Sequence, residues 1–166
     1  PATFTGENQN TGKTRHDGAE IAMAYLWQKC LKVSGNYTYH KATFEAGANN
    51  KKEMPLVPKH TANAGLEVYL PHNITLSSEL QYVGEAYLSG DNDNSAEKLD
   101  DHWLLNLNVQ YKPAFDKMNL TAFLGVDNLA NVKYSSFGID YEQYAMPNFY
   151  YPMPGITVKG GVSIAF

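Results

Sequence analysis

The side chains of this sequence best suited to contacting a ligand lie in the segment 136–154. Aromatic rings offer a large contact area at low entropic cost, and they can stack on planar groups. The segment is rich in such rings and also carries Asp140, Glu142 and Gln143. The candidate ligand contacts are Tyr141, Tyr144, Phe149, Tyr150 and Tyr151. The alternative is that these rings pack within the loop or against neighbouring loops.

A second group of candidate contacts lies in the polar run 91–95. Asp91 and Asp93 are spaced like the first ligands of a calcium-binding loop. However, Ala96 stands where such a loop needs glycine, and His102 stands where it needs a bidentate glutamate. The sequence therefore predicts no EF-hand. Asp91 and Asp93 are secondary ligand candidates on a solvated loop tip, where a weakly bound surface cation is the alternative.

The run Asp100-Asp101-His102 could take part in hydrolysis, since acid and histidine groups placed side by side can form a catalytic site. The sequence offers no serine or second histidine in register with this run. Cys30 is the only cysteine, so neither an internal disulfide nor a cysteine-based zinc site can form. The histidines lack the spacing of a metal site; they are His16, His40, His60, His72 and His102. We therefore predict no catalytic residues, no metal and no cofactor, and a protein that is not an enzyme.

The candidate residues must be positioned by β-strands, because apolar residues recur along the chain with a period of two. In the segment 101–112, for example, Trp103, Leu105 and Leu107 alternate with polar residues. No helix of consequence competes. The predicted strands cover residues 14–28, 31–44, 57–70, 74–88, 101–112, 118–127 and 155–166.

The connections between these segments alternate strictly between short and long. Short turns fall at 28–30, 70–73 and 112–117, and long loops fall at 45–56, 89–100 and 135–154. Outer-membrane β-barrels are built with short periplasmic turns and long extracellular loops. The alternation therefore predicts that the long loops face the cell exterior, where Lys51 and Lys52 could attract anionic complexes or lipopolysaccharide phosphates.

Aromatic residues of the apolar face fall at both ends of the predicted strands, as the two girdles of a membrane barrel require. Trp27, Tyr111 and Phe166 mark the short-turn end, and Tyr39 and Trp103 mark the long-loop end. The mean hydropathy of -0.41 agrees with a barrel, since half of each strand faces a polar lumen. A soluble β-sandwich binding module is the alternative, because it also alternates with a period of two. The net charge of -4 excludes a basic nucleic-acid surface.

The final segment has the pattern of a closing barrel strand. We expect Ile156, Val158, Val162 and Ile164 to face lipid, with Lys159 and Ser163 facing the lumen, and Phe166 to anchor the carboxyl terminus. Seven strands are an odd number, and the first and last would leave open edges in lipid. The fold predicted is thus an all-β, antiparallel transmembrane β-barrel segment of about seven strands within a larger barrel. The partner of the last strand is expected outside these residues.

Four segments carry a resemblance to a known family. They are Asn10–Glu20, Val57–Leu66, Val126–Tyr134 and Tyr151–Phe166. In this order, and ending on an aromatic residue, they resemble the carboxyl-terminal part of TonB-dependent outer-membrane receptors of the siderophore and cobalamin type. Within these segments, Gly18, Glu20, Pro58, Asn128 and Gly155 are interpreted as residues that set register and bend.

The resemblance implies that residues 1–166 form the carboxyl-terminal part of a 22-stranded transmembrane barrel whose plug domain and earlier strands are absent here. It implies import of a scarce solute, most simply a ferric siderophore, across the outer membrane of a Gram-negative cell. The implied partners are that solute, an inner-membrane energy-coupling complex reached through the absent amino-terminal region, and lipid with lipopolysaccharide. A porin-like or adhesin barrel of other descent is the alternative, and an outer-membrane hydrolase is a remote one.

Overall fold

The computed structural model describes residues 12–115 and 118–165, and in this part of the chain nearly all regular structure is β-strand. Its strands are β1 (Thr14–Trp27), β2 (Leu31–Phe44), β3 (His60–Leu70), β4 (Ile74–Val83), β5 (Ala86–Tyr87), β6 (Lys98–Leu99), β7 (His102–Tyr111), β8 (Asn119–Asp127), β9 (Ser135–Ile139), β10 (Phe149–Pro152) and β11 (Thr157–Ala165). Two short 3₁₀ turns cover Pro71–Asn73 and Glu142–Tyr144. Across the described residues, no helix has the length and apolar character needed to span a membrane.

Seven long strands form one antiparallel sheet in the order β1-β2-β3-β4-β7-β8-β11. Every neighbouring pair is antiparallel, and β1 and β2 pair along their full length of 14 residues each. The predicted all-β, antiparallel fold is therefore confirmed. Within the described residues β1 and β11 lie at opposite edges of the sheet and do not pair, so the sheet does not close into a seven-stranded barrel.

The register places the predicted apolar residues that lie within the seven long strands on one surface, which we call the apolar face. Its rows run Ile21–Tyr37–Ala62–Tyr82–Trp103 across five strands and Leu107–Val126–Val158 across the last three. These side chains are exposed rather than packed in a dry core; Ile21, Val158 and Val162 keep 61%, 66% and 66% of their surface accessible. Such an apolar surface on a folded sheet is what contact with lipid requires.

The opposite surface, which we call the polar face, carries amides, hydroxyls and charges. Its rows include Ser34–Gly65–Glu79–Asn106 and Asn108–Gly125–Lys159. Lys159 donates to Asp127 Oδ2 at 2.6 Å, which agrees with its predicted position facing the lumen. The alternation of apolar and polar residues along each strand thus produces the two surfaces of a membrane-barrel wall.

Aromatic residues form a belt across the apolar face at the end of the sheet that carries the long connections. The rings of Tyr82 and Trp103 lie 4.4 Å apart, and the ring of Tyr39 lies 5.4 Å from that of His60. Tyr37 Oη and His60 Nδ1 are 2.7 Å apart. Trp27 and Tyr111 lie at the other end of the sheet, the short-turn end, as predicted. Phe166 lies outside the described residues.

Several predicted boundaries were wrong at the long-loop end. The segment 57–70 becomes a strand only at His60, because Pro58 has no amide hydrogen to donate to the ladder. The segment 74–88 leaves the sheet at Val83. Ala86 then pairs with Leu99 in a separate short hairpin, and Ala86 and Leu88 are buried under the loops instead of lying on the apolar face. The segment 135–154 contains the hairpin of β9 and β10.

The principal hydrophobic core lies beneath these loops and not between two layers of structure. Its buried apolar residues are Ala42, Phe44, Ala86, Leu88, Leu99 and Leu104. Leu88 is fully buried, and its side chain would lie 2.6 Å from a Cβ at Gly138. The absence of a side chain at position 138 therefore lets the β9–β10 hairpin pack closely over Leu88.

Candidate functional site

A cleft of about 840 Å³ opens between the connections at the long-loop end; we call it the loop cleft. It lies where the connection between β4 and β7 meets the connection between β8 and β11, so all of its walls come from the same end of the sheet. The polar and aromatic residues that line it are Glu85, Glu97, Lys98, Asp100, Asp101, Lys133, Tyr134, Ser135 and Tyr150, and Met153 adds an apolar wall.

Charges in the loop cleft are partly organised by contacts between side chains. Lys98 forms an ion pair with Glu85, and its ammonium group lies 4.8 Å from the centre of the Tyr87 ring. The Glu85 carboxylate raises the pKa of Lys98, so that lysine stays charged. Tyr82 donates to Asp101 Oδ2 at 3.1 Å. The cleft therefore offers both cationic and anionic groups beside two tyrosine rings, which suits a polar solute with an aromatic or planar part.

The predicted aromatic contacts divide between the two sides of the β9–β10 hairpin. Tyr150 lines the loop cleft and is 42% exposed. Phe149 lies edge-on to Tyr141, with ring centres 5.3 Å apart, and Tyr141 lies 6.1 Å from Tyr144. Tyr151 packs edge-on against Phe137 at 5.4 Å.

This division follows from strand geometry, since neighbouring residues of β10 point to opposite sides. Phe149 and Tyr151 share one side, and Tyr150 points to the other. The structure thus brings Tyr141, Tyr144 and Phe149 together in an exposed aromatic cluster and separates them from Tyr150. Ligand contact by these residues stays a prediction, and packing within the hairpin accounts for part of the pattern.

Asp91 is not part of a solvated loop tip, so that expectation was wrong for this residue. The residue is fully buried, and its carboxylate accepts hydrogen bonds from the backbone amides of Ser95 at 2.8 Å and Ala96 at 3.3 Å. Asp93 is exposed and accepts a hydrogen bond from the Ser95 hydroxyl at 2.9 Å. Asp91 therefore organises the loop, while Asp93 alone of the two is accessible to a solute.

Loops 45–56 and 89–100 are joined by Asn94. Its amide oxygen accepts from the backbone of Glu53 at 2.7 Å, and its amide nitrogen donates to the Glu53 carbonyl at 2.9 Å. These two hydrogen bonds resemble those between the backbones of paired strands. They hold together two loops that are distant in sequence. Lys51, a candidate for attracting anions, lies in the same region in a left-handed backbone conformation, with a φ of 67°.

We expect the folding of loop 89–100 to depend on pH through Asp91. Burial raises the pKa of this carboxyl, because the charged form loses its hydration. A raised pKa in the folded state means that its contribution to stability is full below the ordinary pKa of about 3.9 and is lost as pH rises through the raised value. Hydrogen exchange of the loop amides, corrected for the intrinsic rate, should show less protection at pH 7 than at pH 4.

The variant Asp91→Asn removes the charge and keeps one acceptor oxygen, so the loss of loop protection between pH 4 and pH 7 should disappear. Asp100→Asn, which removes an exposed carboxylate of the same region, is the matched control and should behave like the parent protein. An equal pH dependence in the parent and Asp91→Asn would contradict the assignment to Asp91.

Residues of two segments that carried the family resemblance meet beside the loop cleft. Asn128 donates to the carbonyls of Val132 at 2.9 Å and Pro154 at 3.2 Å, and Met153 donates its amide to Tyr134 at 2.9 Å. A Cβ at Gly155 would clash with Asn131 Oδ1, so a larger residue there would require the Asn131 side chain to move. The interpretation of Asn128 and Gly155 as residues that set local geometry agrees with these contacts.

The polar face holds a second concave region, of about 1060 Å³, at the level of the sheet itself. It is lined by Ser34, Asn36, Asn63, Glu67, Glu79, Gln81, Asn106, Asn108, Phe123 and Lys159, among others. Acceptors and donors thus line the surface that would enclose a barrel lumen. Among residues 12–115 and 118–165, no group of three histidine, cysteine, aspartate or glutamate side chains is placed to hold a metal ion.

Sequence reasoning missed Tyr134, Lys98 and Lys133 as residues of the cleft. The signal that could have found them is the strict alternation of connections, which already places the chain around 98 and around 133 at the same end of the sheet as 135–154. Which of the loop residues face inward, however, depends on how β5, β6, β9 and β10 fold over the rim.

A comparison with protein-family models shows which family the chain belongs to. Residues 1–129 match the model described as "TonB dependent receptor-like, beta-barrel". The chain belongs to the TonB-dependent receptor β-barrel family. This family is one of outer-membrane receptors and not of enzymes, and it does not support the porin-like, adhesin, hydrolase or soluble-sandwich alternatives.

Known members resemble this TonB-dependent receptor chain at low sequence identity. The catecholate siderophore receptor Fiu of Escherichia coli K12 is 24% identical over 134 residues, which are 78% of this chain and 17% of Fiu. The unliganded ferric citrate transporter FecA superposes with a TM-score of 0.75 at 17% identity over 92% of this chain and 24% of FecA. The ferric yersiniabactin uptake receptor FyuA of Yersinia pestis gives 0.72 at 17% identity over 91% and 23%. The chain therefore spans about a sixth of the length of the curated relatives it matches.

Proposed function

We propose that this chain is the carboxyl-terminal part of a 22-stranded barrel that imports a ferric siderophore across the outer membrane. The observation that carries the proposal is the open seven-stranded wall, with an apolar face, a polar face and a loop cleft, in a member of the TonB-dependent receptor family. Barrels of 22 strands enclose a plugged lumen. On this proposal β1 and β11 pair with strands that precede residue 1, because an open edge in lipid leaves backbone groups without hydrogen bonds.

The orientation proposed follows from the connections. Long connections lie beside the loop cleft, and the turns at 28–30 and 71–73 are short, so the loop cleft faces the cell exterior, where a solute first arrives. The strands then cross the outer membrane several times, with the belt around Tyr82 and Trp103 at the outer headgroups. Energy for transport would come from an inner-membrane complex acting through parts of the receptor outside this chain.

Lipopolysaccharide is the proposed neighbour of the apolar face above this belt. Arg15 and Lys41 lie on that face beyond Tyr39, on paired strands, and Asp17 accepts from Arg15 at 2.6 Å. Cations just outside an aromatic belt are placed at the level of anionic headgroups. This arrangement supports lipid and lipopolysaccharide as partners along the wall.

The solute proposed is a ferric siderophore, for which the relatives provide a reason beyond geometry. Fiu is a receptor for catecholate siderophores, and FecA transports ferric citrate. The loop cleft adds Tyr134 and Tyr150 as rings for stacking and Lys98 and Lys133 as cations. A strain deleted for the intact receptor gene and complemented with it should regain growth on at least one ferric siderophore as the sole iron source. Failure to regain growth on any iron or cobalamin source would contradict import.

Alanine at Tyr150 should weaken siderophore binding to the intact receptor by about 1–3 kcal/mol, as expected for an aromatic anchor. Tyr144→Ala tests the exposed aromatic cluster in the same way, and Tyr25→Ala, at the short-turn end of the apolar face, is the control that should leave affinity unchanged. Affinity is measured by titration of the detergent-purified receptor. Unchanged affinity in correctly folded Tyr150→Ala and Tyr144→Ala would contradict contact and favour packing as the role of these rings.

A further inference from the structure

Two histidines that are distant in sequence meet on the polar face of the first hairpin. His16 lies on β1 and His40 on β2, and His16 Nδ1 is 3.0 Å from His40 Nε2. The two rings are stacked, with centres 5.3 Å apart and planes inclined by 27°. The function proposed above assigns no role to this pair.

The strand register explains why the rings meet. His16 pairs with Ala42 and His40 pairs with Gly18, so the two histidines are diagonal neighbours on one face. Both directly opposed positions carry small residues, which leaves the diagonal free for the imidazoles. A Cβ at Gly18 would lie 2.7 Å from the Tyr39 carbonyl oxygen, so a larger residue at position 18 is resisted by the backbone. The pair is therefore held by the full-length pairing of β1 with β2.

The distance between the two nitrogens is close to the separation of two imidazole nitrogens that bind the same metal ion. Metal–imidazole bonds are about 2.0–2.1 Å long, so two imidazoles at a right angle have nitrogens about 3 Å apart, whereas a tetrahedral angle separates them by about 3.4 Å. Right-angled nitrogen ligands are typical of the square-planar or tetragonal sites of Cu²⁺ and Ni²⁺. The spacing of 3.0 Å is therefore compatible with both imidazoles binding one such ion.

The pair is accessible and supplies only part of a coordination shell. His16 is exposed and His40 is half-buried. No third histidine, cysteine, aspartate or glutamate of residues 12–115 and 118–165 completes a metal cage around them. A metal ion held here keeps open positions for water or for donor atoms of a solute, as in sites that exchange their ligands.

We propose that His16 and His40 form an open two-imidazole binding site for a divalent copper- or nickel-type cation on the lumen side of the barrel wall, near its long-loop end. The site stands on the fold and not on the proposed import of a siderophore, so the two can fail separately. Affinity should follow Cu²⁺ above Ni²⁺ and Cu²⁺ above Zn²⁺, the general order for nitrogen sites.

The test is titration of the intact receptor, purified in detergent and stripped with a chelator, with Cu²⁺ alone and then with Ni²⁺. His16→Ala and His40→Ala should each weaken the tightest Cu²⁺ binding at least tenfold. Electron paramagnetic resonance of the Cu²⁺ complex should lose coupling to one nitrogen in either variant. His72→Ala is the matched control, because His72 is exposed in a short turn and lies far along the chain from both β1 and β2; it should bind like the parent.

Folding is checked by the heat-modifiable electrophoretic mobility of the barrel. His16→Gln is the second variant, since glutamine retains hydrogen-bonding capacity but is a poor ligand for these ions. Loss of Cu²⁺ affinity in folded His16→Gln supports the site. Equal Cu²⁺ titrations and equal nitrogen coupling in the parent, His16→Gln, His40→Ala and His72→Ala would overturn it, and the pair would then be a hydrogen bond that ties β1 to β2.

Discussion

Arginine in place of Leu107 should lower the free energy of unfolding of the receptor by about 2–4 kcal/mol, the cost of a cation at the midplane of the lipid-facing wall. Leu107 lies on the apolar face of β7, four residues from Trp103 and four from Tyr111, which mark the two ends of the strand. Its neighbours on the same face are Ser78 and Val126. Equidistance from both aromatic positions places residue 107 at the greatest depth in the bilayer.

The measurement is a urea titration of the intact receptor folded into phospholipid vesicles, followed by tryptophan fluorescence. Two arginine variants serve as controls. Leu70→Arg lies on the same face at the end of β3 beside a short turn, where the expected cost falls to about 0–1 kcal/mol. Gln110→Arg places the cation on the polar face of the same strand. Equal costs at positions 107, 70 and 110 would contradict the assignment of the apolar face to lipid.

Alanine in place of Asn128 should destabilise the long-loop end by about 2–4 kcal/mol. Asn128 is 4% exposed, and its amide accepts from Val132 at 2.9 Å and donates to the carbonyls of Val132 and Pro154. Removing that side chain leaves three backbone groups without these partners, namely the amide and carbonyl of Val132 and the carbonyl of Pro154, and each hydrogen bond is worth about 1 kcal/mol. Its φ of 52° adds to the cost, because the left-handed region suits asparagine better than alanine.

Hydrogen exchange of residues 128–156 together with urea unfolding measures this effect. Asn128→Gly separates the two causes, since glycine adopts the positive φ freely but restores none of the hydrogen bonds. Asn92→Ala, in an exposed loop position, is the matched control. If Asn128→Gly is as stable as the parent, the hydrogen bonds contribute little and backbone strain alone explains the loss in Asn128→Ala.

The strands were predictable from sequence because both of their surfaces impose the same period on the chain. Lipid requires apolar side chains on one face, and the lumen tolerates polar ones on the other. The apolar residue at every second position of β7, from Trp103 to Tyr111, therefore shows which side of the strand faces lipid. Turn residues fixed the boundaries well at the short-turn end, where Gln28, Lys29, His72 and Asn73 have positive φ. The family resemblance added the family to which the chain belongs, and the family match over residues 1–129 confirmed it.

The loops were less predictable because contacts between segments distant in sequence decide their structure. Nothing in the alternation of residues 74–88 distinguishes Ala86 and Leu88 from a continuing strand, yet they turn away to pair with β6 and pack under the β9–β10 hairpin. Asp91 looked like a solvated residue because it lies in a polar run. Its burial depends on the backbone amides of Ser95 and Ala96 that surround its carboxylate.

By itself the sequence determined the antiparallel strands, their faces, the alternating connections and the end of the sheet at which the candidate contact residues gather, since these follow from local periodicity and turn chemistry. Only the tertiary structure decided that Tyr150 points into the loop cleft away from Tyr141 and Phe149, that Asn94 joins two loops, and that His16 meets His40. The physical reason is that each of these contacts depends on the register between strands or loops. Register is set by the pairing of whole segments and not by the residues that it brings together.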